Sequence, residues 1–321
     1  MMSGLARGSA RHHKLQNVII RLLHDPSLIA RLYQDSEEMG EELGLTAEEL
    51  SWFIEIDRRR WEVDPELPHR SLEGALSHCP VTALVVSSLC YGTQSHRDTL
   101  SFKSGIEELL RFYQTPAFHR CIDQGEYLAE SLMSWMRQEI AQRPLPPQLD
   151  RARQITCALV DLELQVAITR RMRPHRHMDE VVSQSDVAHQ PTSKVSSTLS
   201  LPSTSQLYAT IEGATEVYLA LYEEALNITK THGCAQLLRG QLNLESFPIK
   251  LDSPVTALIE YRSSGVSIES LSGGLVTVLK LAQAGGSVSS LMDFLIEADV
   301  EPDDAAAMIQ DWRREGLIQI S

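Results

Sequence analysis

The sequence predicts an α+β protein that is mostly α: an N-terminal helical bundle followed by a small C-terminal winged-helix domain. Three observations carry this expectation. Apolar residues recur at helical spacing, punctuated by capping signals, as far as Met172. A Ser/Thr-rich stretch then interrupts the pattern. The last 76 residues, Ser246 to Ser321, finally hold two β-rich runs and three capped helices.

In the first half, Leu15, Val18, Ile19 and Leu22 mark one apolar helical face. Asp25-Pro26 ends that helix and opens the next, because Asp accepts from free backbone donors and Pro fits the first helical position. Thr46-Ala-Glu-Glu49 is a capping box, and the helix behind it carries Leu50, Phe53, Ile54 and Trp61. Further helices are expected over Leu72 to Tyr91, Phe102 to Tyr113, Ala117 to Ala141 and Leu149 to Met172, with Pro144, Pro146 and Pro147 separating the last two. This gives a helical domain over 1–182.

From Ser183 to Ser205 the chain holds eight Ser and three Thr with Pro191 and Pro202, and so few large apolar side chains that burial does not offset its ordering entropy. It is expected to be a linker; an ordered arm along a partner is the alternative. The C-terminal region then runs over 206–321. Tyr208, Ile211, Val217, Tyr218, Leu221 and Tyr222 favour a helix over Thr215 to Leu226, with a strand still open.

The winged-helix domain is expected over about 246–321. Val255 to Tyr261 and Val266 to Leu271 form a hairpin about Ser263-Ser-Gly265. Gly273-Gly274 opens a helix over Leu275 to Ala284, which Gly285-Gly286 ends. Ser287 caps a second helix to Ala298, and Glu301-Pro302-Asp303 starts a third that runs to Arg314.

Charge narrows the function classes. The chain carries 29 Lys and Arg against 43 Asp and Glu, a formal charge of −14. From Glu245 to Ser321 there are five cations and twelve anions, a balance of −7, which a duplex phosphate backbone would repel. Neither nucleic acid nor an anionic membrane is an expected partner. The five cysteines, Cys79, Cys90, Cys121, Cys157 and Cys234, form no C-x-x-C and are read as buried thiols of a reduced chain. With no apolar signal-peptide core behind Arg7 and Arg11, and no membrane-spanning run, the expected location is cytoplasmic.

Candidate chemistry is sparse. His12-His13 lies in a polar terminus. His175-Arg-His177 is the one His-x-His, but it follows Arg170, Arg171 and Arg173 and has no neighbouring Cys, so a positive patch at a helix end competes with a metal pair. Asp161 and Glu163, two apart on a helix, point in different directions and form no acid/base pair. There is no G-x-S-x-G, phosphate loop, G-x-G-x-x-G or H-E-x-x-H. No catalytic residue and no metal ligand is therefore assigned, and the chain suits a recognition subunit.

Leu271 to Gly285, then Val288 to Leu295, then Ala305 to Arg314 with Glu315-Gly-Leu-Ile318, resemble the peptide-recognition domain of ribosomal-peptide natural-product pathways, which is related to the pyrroloquinoline quinone chaperone. Asp25 to Leu28 with Leu43 to Leu50 is similar to a helical segment of accessory subunits, including those beside extradiol dioxygenases. Together they resemble the partner subunit of methanobactin-type multinuclear iron oxidases, with a length that fits the partner from 3-thiaglutamate biosynthesis. The resemblance covers about the first 60 and the last 75 residues; the Ser-rich stretch departs from the shorter methanobactin partner. It implies an accessory subunit that is no enzyme by itself and has no cofactor of its own. Its expected partners are a carrier peptide with a leader and an iron-oxidase catalytic subunit in a heterodimer. That catalytic subunit would hold the iron, use oxygen and oxidise the carrier's cysteine, in the thiaglutamate pathway by excising the β-carbon of a C-terminal cysteine as formate.

The expected docking mode is addition of the leader as a strand along Val266, Ser267, Ile268 and Glu269, with the outward amide at Ser267 or Glu269. Ile309 and Trp312 of the third helix should face the core, leaving Gln310, Arg313 and Arg314 to line a groove. An acidic leader residue would pair with the arginines, unless they serve only the helix dipole. A transcription regulator would set the same helix in a major groove, which Asp303, Asp304 and Asp311 oppose; a structural adaptor without peptide substrate is the other alternative.

Overall fold

A computed structural model describes residues 3–62, 64–91, 106–171, 198–239, 242–262 and 265–321. They are mostly helical, with small antiparallel sheets. The chain divides into two compact units, Met1–Leu164 with Tyr218–Phe247, and Gln165–Val217 with Pro248–Ser321. The expected limits at 182 and 206 differ from this division. Two of the three crossings fall inside the continuous helices Asp150–Arg171 and Ala214–His232, where no change of composition marks them.

The first unit starts with helices Ser3–His24, Pro26–Gln34, Ser36–Leu43 and Ala47–Glu55. Val18, Leu22, Leu28, Ile29, Leu32, Met39, Leu43, Phe53 and Trp61 form their shared core. Both expected caps are made. Asp25 accepts from the Ser27 amide, and Thr46 and Glu49 exchange side-chain and backbone bonds reciprocally. Trp61, expected on the fourth helix, lies beyond its end at Glu55; its ring stacks on Phe53 with centroids 5.9 Å apart, and its Nε1 donates to the Tyr33 hydroxyl. Ile19 and Ile54 point outward rather than into the core.

Two expected helices are each broken once. Leu72 to Tyr91 becomes Leu67–His78 and Pro80–Tyr91, bent by 107°. Pro80 cannot donate to the preceding turn and drives Cys79 out of the helical region, to φ −133° and ψ 58°. The second helix is apolar nearly all round and deeply buried. Its start is met by Glu163, whose carboxylate accepts from the amides of Val81 (3.1 Å) and Thr82 (2.5 Å). Ala117 to Ala141 becomes Pro116–Gln124 and Leu128–Gln142, divided by Gly125 at φ 65°. Residues 106–110 are helical and lead into a tighter turn at Arg111–Gln114; the earlier part of the helix expected from Phe102 lies outside the described residues.

His24 ends the first helix with its ring between Tyr113 and Phe118, centroids 5.0 and 5.6 Å away, and with bonds to Ile20 O and Ser71 Oγ. Burial holds its pKa below the ordinary 6.5, opposed by the backbone bond. Below that ordinary value the unfolded chain takes up a proton that the folded imidazole resists, so this stability is present in full above it and is lost as pH falls. The melting temperature should drop between pH 7.5 and 5.5, and His24→Gln should reduce that drop. An equal drop in the variant would assign the acid sensitivity to other groups, such as His119, whose pKa burial also lowers.

The second unit contains strands β1 (Leu199–Ser200), β2 (Ser205–Glu212), β3 (Lys250–Arg262), β4 (Gly265–Ser270) and β5 (Gln319–Ile320). One antiparallel sheet has the order β2-β3-β4, and β1 pairs with β5. The end of the expected linker is thereby corrected. Thr198 exchanges backbone bonds with Ser321, and Leu199, fully buried, donates its amide to Gly286 O. The serines around Leu199 and Leu201 hide a short alternation whose apolar members reach the core. Residues 183–197 of that stretch, and His175 with His177, lie outside the described residues.

β2 was not expected; the helix after it was, and begins at Ala214. Between them Gly213, at φ 88°, turns the chain against the backbone of Pro248. The hairpin β3–β4 and the helices Gly273–Gln283, Val288–Glu297 and Pro302–Arg314 lie where their signals put them, with Ser287 capping the second. Leu199, Leu258, Val278, Leu279, Leu291, Leu295, Ile309 and Ile318 make the core between these helices and one face of the sheet.

Candidate peptide-docking edge

β4 is the last strand of its sheet, so one of its edges has no strand partner among the described residues. Its register on β3 pairs Leu258 with Glu269, Ile259 with Ile268 and Glu260 with Ser267. Which backbone groups reach the open side follows from one bond, Leu271 N to Thr256 O at 2.9 Å. Antiparallel strands alternate between residues that exchange bonds and residues that do not. Leu271, Glu269 and Ser267 therefore turn their backbone groups toward β3, whereas Ser270, Ile268 and Val266 turn theirs away. The expected outward amide at Ser267 or Glu269 is corrected accordingly: proline at either position would break the hairpin instead of the open edge. The signal was available in the turn length, since β3 ends at Arg262 and β4 begins at its partner Gly265.

Side chains follow the same alternation. Val266 and Ile268 share the face of Ile259, and Ile268 and Ile259 are buried. Ser267 and Glu269 share the face of Leu258, which packs into the core beneath the three helices. Glu269 itself is exposed. On that face Arg262 Nε donates to Glu260 Oε2 at 2.5 Å, and Ser205 Oγ donates to the other oxygen of Glu260. Arg262 Nη2 stands 3.9 Å from Glu269 Oε1. The hydrogen bond to Glu260, then its charge, raise the pKa of Arg262, which stays a cation.

On the third helix Ile309 is buried and Trp312 half-buried against the core. Gln310, Arg313 and Arg314 are exposed. Arg314 donates to Asp311 on its own helix at 2.7 Å, which leaves Arg313 as the arginine without a carboxylate among the described residues. No hydrogen bond or ion pair among the described residues joins Gln310, Arg313 or Arg314 to Val266, Ser267, Ile268 or Glu269.

Asp161 and Glu163, in the first unit, are committed to the fold. Asp161 accepts from Arg137 Nε, while Glu163 caps the helix at Pro80, so the two carboxylates serve different partners. Among the described residues no three His, Cys, Asp or Glu converge on a point that could hold a metal ion. All five cysteines are free thiols. A cavity of about 330 Å³ in the first unit is lined by Val86, Leu109, Trp135, Met136 and Ile140, with Cys90 beside it. Burial raises the Cys90 pKa, so that group remains a thiol, and Arg143 Nη1 donates to both Cys90 Sγ and Glu108.

No protein-family model matches this chain, and no curated protein matches it.

Proposed function

We propose that this chain is the peptide-recognition subunit of a two-protein oxidase, binding the leader of a ribosomally made carrier peptide and presenting the carrier's cysteine to an iron-dependent catalytic subunit. On this reading the second unit is a winged-helix peptide-recognition domain, and the helices of the first form a bundle that docks the catalytic subunit in a heterodimer. Iron and oxygen chemistry belong to that partner, as in 3-thiaglutamate biosynthesis, and the complex is cytoplasmic.

The observation that carries the reading is the open edge of β4. Val266, Ile268 and Ser270 offer outward donors and acceptors in strand spacing, which is what an extended peptide needs in order to add as a fourth strand. The acidic surface favours peptide over nucleic acid at this fold.

The test is titration of the full chain with labelled synthetic peptides of extended, leader-like sequence. Ser270→Pro and Val266→Pro each remove an outward donor while leaving the bonds to β3, so affinity should fall by about tenfold, the equivalent of one to two net hydrogen bonds, with unchanged circular dichroism. Ser267→Pro should instead perturb the hairpin and lower the melting temperature. Unchanged affinity in folded Ser270→Pro and Val266→Pro would overturn β4 as the docking strand.

A further inference from the structure

We infer that the strand added to β4 carries a basic residue beside Glu269, and that Glu269 is a specificity-determining residue of the docking edge. The inference rests on the peptide-binding reading of that edge and goes on to name the chemistry of the occupant.

The argument begins with parity. Glu269 turns its backbone toward β3, so against an added antiparallel strand it stands at a position without hydrogen bonds, where facing side chains approach most closely. The incoming residue opposite it is flanked by two residues bonded to Ile268 and Ser270. Because pleating places neighbours on opposite faces, that residue must share the face of Glu269, and its two flanking residues the face of Ile268. In a parallel strand the residue opposite Glu269 would itself bond to Ile268 and Ser270, but it would still share the face of Glu269.

Charge then selects the residue. Glu260, Arg262 and Glu269 form a group of two carboxylates and one guanidinium on this face. Arg262 is engaged closely by Glu260 and stands 3.9 Å from Glu269, whose side chain is 59% exposed. One negative charge is therefore left uncompensated at the rim of the strand. Val266 and Ile268 on the opposite face offer no charge. Lys or Arg opposite Glu269 would complete the group, whereas Asp or Glu there would add a third carboxylate. The preference is the reverse of the acidic leader expected from Arg313 and Arg314 on the third helix.

The experiment is selection of random phage-displayed peptides on the immobilised full-length chain, run in parallel on Glu269→Lys, Glu269→Gln and Ser270→Pro, each checked for folding by circular dichroism. Selected peptides should carry Lys or Arg at one fixed position, next to an apolar residue that faces Ile268. Glu269→Gln should erase that preference and Glu269→Lys should replace it with Asp or Glu. For two synthetic peptides differing only at this position, charge reversal should shift the affinity ratio by about tenfold. Peptides that are selected, that depend on Ser270 and yet show no charge preference altered at Glu269 would overturn this inference and leave strand addition standing. Failure to select any peptide above the Ser270→Pro background would overturn both.

Discussion

Gly213→Ala is expected to cost the second unit about 3–5 kcal/mol, the sum of backbone strain and a backbone collision. Gly213 adopts φ 88°, a region that L side chains seldom occupy. A Cβ built there would stand 2.3 Å from the carbonyl oxygen of Pro248 and 3.3 Å from the Cα of Ile249. Neither neighbour is the flexible end of a side chain. Pro248 leads into β3, whose first residue Lys250 pairs with Glu212 at the irregular end of β2, so relief of the clash would disturb that junction. Gly285→Ala supplies the control: φ is 72° there, and an added Cβ meets nothing within 4 Å. It should cost only about 1–2 kcal/mol, the strain alone. Chemical denaturation of both variants measures the difference. Equal losses would mean that the Pro248 carbonyl moves aside freely.

Glu163→Ala is expected to cost about 3–4 kcal/mol. The carboxylate is almost wholly buried and accepts from two amides at the start of helix Pro80–Tyr91, both on fully buried residues. Those donors have no carbonyl within the helix, and their dipoles favour a negative group at that end. Alanine removes both acceptors, and each donor left without a partner costs about 1–3 kcal/mol. Glu163→Gln keeps one good acceptor and should lose about half as much. Urea denaturation monitored at 222 nm distinguishes the two. A loss below about 1 kcal/mol for Glu163→Ala would show that the helix start rearranges to find other acceptors.

Features decided within a few residues were legible in the sequence. The capping box at Thr46, the caps at Asp25 and Ser287 and the start at Pro302 each bind backbone groups close by, and the hairpin needs only two β-rich runs and a short turn. Pro80 was also a local signal, but the apolar run through it reads as one helix unless the missing donor is given more weight than the hydropathy. β2 was obscured because Tyr208 and Ile211 merge by composition into the helix that follows, and its pairing with β3 depends on residues brought together across the Ala214–Ile249 excursion. The unit boundary within Asp150–Arg171 left no trace, since a helix keeps its period whatever packs against each of its ends. At the site, the edge strand was legible, but the direction of its amides turns on whether the connection is read as two residues or as Ser263-Ser-Gly265, because one residue more reverses the pairing parity.

The pairing of β1 with β5 has a kinetic meaning. Leu199 and Ile320 are partners across more than a hundred residues, whereas β3 and β4 are joined by a turn of two. A hairpin of that kind closes in about 1–10 μs, while joining distant segments must first overcome the entropy of the intervening loop. Two residue pairs return little of that cost until the core formed by Leu258, Leu279, Leu291 and Ile309 has condensed and can receive Leu199. The β3–β4 hairpin would thus nucleate before the two-residue seam exists, so loss of Leu199 packing should accelerate unfolding more than it slows folding.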